Sequence, residues 1–315
     1  MAKGTGWNLI ALPFQNGPSK FRLLMNQYDE ELKFTFVDDD VKNRGLIRPG
    51  TDTDNDQRVA ALDYQQAIKQ VAADDFPRTD LAGAPGLAIH HEPGLWLFEK
   101  NRRSKEDVIT AGGVGEVELT VARLASVPHG NSVLALGFHE EHAGMPEIPP
   151  ISALPSGRFE DLRTPDYDFK SDPYLAPYLH YIDNPFKGTV SAPSFPGFNP
   201  VDMNELLRLA NEGVEIVKTT VLNVDTMRRS GGITNVPFSI REAEPVSMKS
   251  TFWIQELAEK DEYGLPKLRL QYSQVVVLNF FHPREDELPG KASWPHISIA
   301  TLEKVPSPSD YRLRY

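Results

Sequence analysis

Three short apolar stretches carry most of the chemically capable residues of this chain. They are His90-His91-Glu92-Pro93-Gly94-Leu95-Trp96-Leu97, Val127-Pro128-His129-Gly130-Asn131-Ser132 and Trp294-Pro295-His296-Ile297-Ser298. Each sets a histidine beside proline or glycine inside a strand-like run. Imidazole titrates near neutral pH, so it can ligate a metal, shuttle a proton or close a buried hydrogen bond. His90 shares strand parity with Glu92 and Trp96, and a neighbouring carboxylate raises imidazole basicity. The pair reads either as a proton relay or as a satisfied polar spot ahead of a bend at Pro93-Gly94. His129 sits at a kink, where irregular backbone can aim a side chain into a cavity or leave it exposed. His296 falls on one face with Trp294, Ser298 and Ala300. If that face is inward, small neighbours leave room for a bulky ligand; if Ile297 and Ile299 point inward, His296 sits outside. His139-Glu140-Glu141-His142 misses the zinc-protease spacing by one residue and reads as a solvated acidic loop.

Composition narrows the chemistry. The 315 residues include no cysteine, which removes disulfides, thiol nucleophiles, cysteine-zinc sites and thiolate-bound haem. A haem here would take its protein ligand from His, Tyr or Met. The net charge of -11 argues against nucleic acid, whose phosphates need clustered Lys and Arg, and against an anionic membrane surface. No run approaches the ~18 apolar residues of a membrane span, and the first residues lack an apolar signal region. A cytoplasmic protein is expected, and a homo-oligomer is compatible with the sequence.

The elements that must position these residues alternate with period two. Phe21–Gln27 and Glu31–Phe36 read as a strand pair around an acidic turn at Asp29-Glu30. Further strands are expected at 86–99, 115–125, 131–139, 213–225, 233–241, 247–257, 267–281 and 295–305. About ten strands joined by short turns suggest a single closed antiparallel β-barrel, because closure leaves no edge to aggregate. A helix is expected over Asp202–Asn211, and residues 57–72 allow either helix or strand. The whole chain, 1–315, reads as one domain. Within it, 143–200 holds eleven of the 26 prolines interleaved with Tyr174, Tyr178, Tyr181 and Phe186. Proline blocks both helix and sheet ladders, so this insertion is expected to be an irregular, aromatic-rich lid over one barrel mouth.

The pieces resemble the nitrobindin and fatty-acid-binding-protein-like (calycin-type) barrel superfamily. The resemblance rests on Gly4-Thr5-Gly6-Trp7 as the opening of a first strand, the His-x-x-Gly-aromatic segment at 91–98 with the Ala125–Leu136 strand after it, and Pro295-His296-Ile297 leading into Leu302-x-Lys304-Val305 as the last strand. In nitrobindins the final-strand histidine ligates haem iron, so the resemblance implies haem b with His296 as proximal ligand; His90, Glu92 and His129 are then the candidate distal or acid–base groups. The expected function is binding a bulky hydrophobic molecule in the lumen, with gas, peroxide or oxygen chemistry. Trp96, Tyr174, Tyr178, Tyr181, Phe186, Trp253, Tyr272 and Trp294 are the candidate ligand contacts. Two other classes remain open: a cofactor-free cyclase or isomerase using the His and Glu groups, and a plain lipid or pigment carrier.

Overall fold

Period-two alternation does close this chain into a barrel. The computed structural model describes residues 1–14, 21–41, 58–100, 119–154, 175–228, 230–280 and 292–305. Its strands are β1 (Ala2–Pro13), β2 (Phe21–Val41), β3 (Val59–Phe76), β4 (Ala88–Glu99), β5 (Val121–Val127), β6 (Asn131–Ala143), β7 (Ile216–Asp225), β8 (Gly232–Asn235), β9 (Ala243–Lys260), β10 (Pro266–Phe280) and β11 (Ala292–Lys304). The helices are α1 (Ala176–Asp183), α2 (Glu205–Leu209) and α3 (Pro237–Glu242). Antiparallel neighbours run β1-β2-β3-β4-β5-β6-β7-β9-β10-β11, and β11 returns to β1 from Ala2↔Lys304 to Leu9↔Ile297. Ten strands therefore close. β8 stands outside the barrel, paired with the first residues of β6. Among the described residues no helix is long and apolar enough to cross a membrane.

Several local expectations need correction. No turn interrupts β2 at Asp29-Glu30; β2 continues for 21 residues, with Asp29 facing solvent and Glu30 buried in the lumen. Two adjacent acids suggest a turn, but in a strand they point to opposite faces, and here the inward one finds partners. The ambiguous 57–72 stretch is strand β3. Pro93-Gly94 makes no bulge, since β4 keeps register with β3 through Gln65↔Pro93 and Tyr64↔Gly94. Pro128 to Gly130 is a hairpin turn between β5 and β6, with Gly130 at a φ of 95° that favours glycine. The expected strand at 233–241 divides into β8 and α3, and the segment expected to be wholly irregular contains α1, which carries Pro177 in its first turn.

Alternation gives the wall two apolar faces. Inward residues such as Leu32, Ile68, Ala135, Val224 and Leu302 fill the lumen. The outward set, Trp7, Leu9, Leu23, Met25, Ile297 and Ile299, is covered by Tyr178, Tyr181, Phe198, Met203 and Leu207 from the chain between β6 and β7. Burying each large apolar side chain in that layer is worth about 2 kcal/mol, so this chain is a second core on the outside of the barrel. Polar groups anchor it as well. Arg269 on β10 donates to the Ala210 carbonyl at 2.8 Å and Gln271 to the Leu207 carbonyl at 3.0 Å, satisfying acceptors that the end of α2 leaves open.

Candidate functional site

The middle of the lumen is a polar layer between two apolar ones. At its centre Arg123 of β5 is almost wholly buried, and every nitrogen has an acceptor. Nη2 donates to Glu92 Oε1 at 2.6 Å, Nη1 to Gln274 Oε1 at 2.7 Å and to Ser250 Oγ at 3.2 Å, and Nε to the Tyr64 hydroxyl at 3.0 Å. The guanidinium carbon also lies 5.3 Å from the Phe252 ring centroid, 5.4 Å from Tyr64 and 5.8 Å from Trp96, a cage of π faces that favours a cation. Burial alone would raise the Glu92 carboxyl. Arg123, helped by His90 and Tyr64, instead holds it at about 2. The ion pair is thus permanent across ordinary pH.

A second cluster adjoins the first. Glu30 of β2 receives Gln66 Nε2 on Oε1 at 2.7 Å, and its Oε2 lies 2.7 Å from the Tyr272 hydroxyl. That hydroxyl is 3.0 Å from the Tyr28 hydroxyl, which donates to the Ile299 carbonyl at 3.0 Å. Burial pushes Glu30 up to about 7 despite the hydrogen bonds of Tyr272 and Gln66 and the charges of His90 and Arg123. Room for these tyrosines comes from glycine. A Cβ on Gly6 would lie 2.2 Å from the Tyr28 ring, and one on Gly94 would lie 2.5 Å from the Tyr64 ring.

Above the ion pair is an apolar cup of about 330 Å³. Trp96 and Phe252, two of the rings around Arg123, line it with Phe34, Leu62, Phe98, Leu222 and Ile254. Its volume falls at the small end of ordinary ligand sites. A crevice of about 600 Å³ lies outside the barrel, between Phe195 with Leu206, Leu207 and Leu209 and the Trp7–Ile299 wall, and is edged by Lys3 and Glu303. It is larger, but of the buried network it meets only Ile299 and none of that network's ionisable side chains.

The structure brings some predicted residues together and separates others. His90 Nε2 lies 3.2 Å from Glu92 Oε2, and the His90 and His129 rings stack with centroids 6.1 Å apart. His129 is lowered by burial and by repulsion from His90. Trp96 lines the cup, and Tyr272 lies beneath it, stacked on Phe252 at 5.3 Å. Trp253, Tyr178, Tyr181 and Phe186 belong to the outer core with Trp7 and Phe198. Trp294 packs against Phe21 at 4.4 Å, also in that core. Tyr174 lies outside the described residues. On β6, the sequence His139 to His142 gathers no metal site; Glu141 pairs with Lys218 at 2.7 Å, and no cluster of three or more His, Asp or Glu able to hold a metal occurs among the described residues.

His296 shares the inward parity of Ala300 and Leu302, at the point where β11 leaves β1. Beyond Leu9↔Ile297 the ladder stops, and the backbone N–H of Ala11 donates to His296 Nε2 at 3.2 Å. The ring replaces the carbonyl that a continuing strand would have offered. Burial lowers the imidazole to about 4, so the ring is neutral with its proton on Nδ1. These placements do not fit a haem: Nε2 is already bonded to the sheet, and among the described residues no histidine or tyrosine lines the cup. Sequence reasoning missed Arg123, Glu30, Tyr28, Tyr64 and Gln66. The available signal was a charge inside the apolar run Val121-Ala122-Arg123-Leu124-Ala125, and the polar spacing Asn26, Tyr28, Glu30.

No protein-family model and no curated protein matches the sequence. Among solved structures the chain is similar to the "Crystal Structure of Rv2717c from M. tuberculosis", at 11% identity and a TM-score of 0.36, over 97% of this chain and 92% of that one. That likeness is too weak to carry an argument. The closed ten-stranded antiparallel barrel, compatible with a calycin-like fold, rests on this chain's own strand pairing.

Proposed function

We propose that this protein binds a small, largely apolar molecule in the cup above Arg123. The supporting observation is an apolar cavity of about 330 Å³ whose aromatic walls, Trp96 and Phe252, are fixed from below by a fully bonded guanidinium. A preformed apolar site loses little entropy on filling, so such a cavity is suited to retention. The reading can be tested by titrating 1-aminoanthracene and following probe fluorescence and quenching of Trp96. Leu222→Trp should fill the cup and abolish binding while leaving the folded barrel intact, and Trp253→Phe on the outer wall should leave binding unchanged. Equal binding by Leu222→Trp and wild type would move the ligand elsewhere.

A second reading, a cofactor-free acid–base enzyme, is favoured by the convergence of His90, Glu92 and His129. Glu92 is committed to Arg123, Tyr64 and His90, so the histidines would carry the proton. His90→Gln and His129→Gln would then slow turnover by ~10²–10⁴ with ligand affinity retained.

A further inference from the structure

We propose that Glu30 is held as a neutral carboxylic acid, the first donor of a one-way hydrogen-bond relay running Glu30 to Tyr272 to Tyr28 to the Ile299 carbonyl, and that loss of its proton weakens ligand binding in the cup. The second half rests on the cup being the ligand site; the first half does not.

Proton counting carries the argument. The relay has three contacts, Glu30–Tyr272 at 2.7 Å, Tyr272–Tyr28 at 3.0 Å and Tyr28–Ile299 carbonyl at 3.0 Å. A carbonyl cannot donate, so the Tyr28–Ile299 contact is a hydrogen bond only when Tyr28 gives it its one proton. Tyr272 then has one proton for two neighbours. If Glu30 is a carboxylate, Tyr272 donates to it, and the one proton of Tyr28 can serve Tyr272 or Ile299 but not both, so one contact is left without a hydrogen bond. If Glu30 is protonated, it donates to Tyr272, Tyr272 donates to Tyr28, and all three contacts are hydrogen bonds. Gln66 Nε2 completes the arrangement by donating to the remaining carboxyl oxygen.

The surrounding charges agree. Facing Glu30 are Tyr28 on its own strand, Gln66 on β3 and Tyr272 on β10, and at longer range His90 on β4 and Arg123 on β5. The opposite residue on β1 is Gly4. Arg123 is already matched by Glu92 at 2.6 Å, which leaves Glu30 as the second carboxyl beside one guanidinium. Burial raises it to about 7, as expected of a carboxyl removed from water without its own cation. Tyr272 is stacked on Phe252, a wall of the cup. An anion formed there would draw water under an apolar site and leave one contact of the relay without a hydrogen bond, so the proton-bound form favours the ligand.

Infrared difference spectra between pH 5 and pH 9 read the proton directly. Wild type should show a carboxylic-acid C=O band that disappears near pH 7, and Glu30→Gln should lack it. The glutamine amide can donate to Tyr272 as the acid does, so this variant should fold. Should it not, the wild-type titration alone decides, with Tyr272→Phe expected to move the band. No band titrating above pH 6, or the same band in Glu30→Gln, overturns the proposal. If 1-aminoanthracene needs the protonated form, its apparent affinity should fall roughly tenfold between pH 6 and pH 8 in wild type and stay constant in Glu30→Gln. Equal affinity at both pH values overturns the coupling. Failure of the probe to bind at any pH sinks the cup reading, and the infrared band still decides the state of Glu30.

Discussion

Arg123 and Glu92 meet at 2.6 Å in the middle of the barrel, with about 2–3% of either side chain exposed. An ion pair so deep gains its Coulomb energy in a medium that also penalises both charges, so its net contribution is small while the penalty for breaking it is large.

Single substitutions should therefore be far worse than the pair together. Arg123→Met leaves the Glu92 anion buried against Tyr64 and His90, and Glu92→Gln leaves a buried cation; each should cost about 3–5 kcal/mol in urea unfolding. The double variant should recover at least half of the larger loss. Purely additive losses would mean that the two residues act through separate contacts.

The barrel itself was legible because its signal is repeated in strand after strand: alternating residues such as Leu268-Arg269-Leu270-Gln271-Tyr272-Ser273 cannot satisfy both faces any other way. The interior chemistry was less so. Glu30 looks like half of a turn beside Asp29, and only the ladder shows that it faces Tyr272 from 242 residues away. Gly6 and Gly94 read as a motif glycine and a bend glycine, yet their role is to admit the rings of Tyr28 and Tyr64. His296 carried the right parity for the lumen, but its hydrogen bond to Ala11 depends on where the β1–β11 ladder ends, which no local pattern reveals. The aromatic insertion looked like a cover for a mouth because its composition shows that it packs without showing on which face of the wall.

Two buried groups should make stability nearly flat with pH. Glu30 is raised from 4.5 to about 7, so the stability it contributes is full below pH 4.5 and lost as pH rises to 7. His296 is lowered from 6.5 to about 4, so its contribution is full above pH 6.5 and lost as pH falls to 4. Each is worth about 3 kcal/mol at most, and the slopes oppose each other between pH 4.5 and 6.5. Wild type should unfold at nearly the same urea concentration across that window. Glu30→Gln should make stability climb with pH, and His296→Asn should make it decline. Matching profiles for the two variants would show that one of these groups is not titrating as its surroundings require.

The outer core supplies a test of the covering segment. Tyr178 is fully buried, lies parallel to Trp294 at 6.4 Å with a 4° interplanar angle, and has a hydroxyl that meets no hydrogen-bond partner among the described residues. A buried hydroxyl without a partner costs free energy that its ring packing must offset. Tyr178→Phe keeps the ring and removes the hydroxyl, so it should stabilise the protein by about 1 kcal/mol. Tyr178→Ala should cost about 3–5 kcal/mol, since it empties a ring-sized space beside Phe21 and Trp294. Because that ring seals the wall of the barrel, the loss should appear in one cooperative transition, read alike by tryptophan fluorescence and far-ultraviolet circular dichroism. Two separated transitions would instead make the segment a unit that unfolds independently of the barrel it covers.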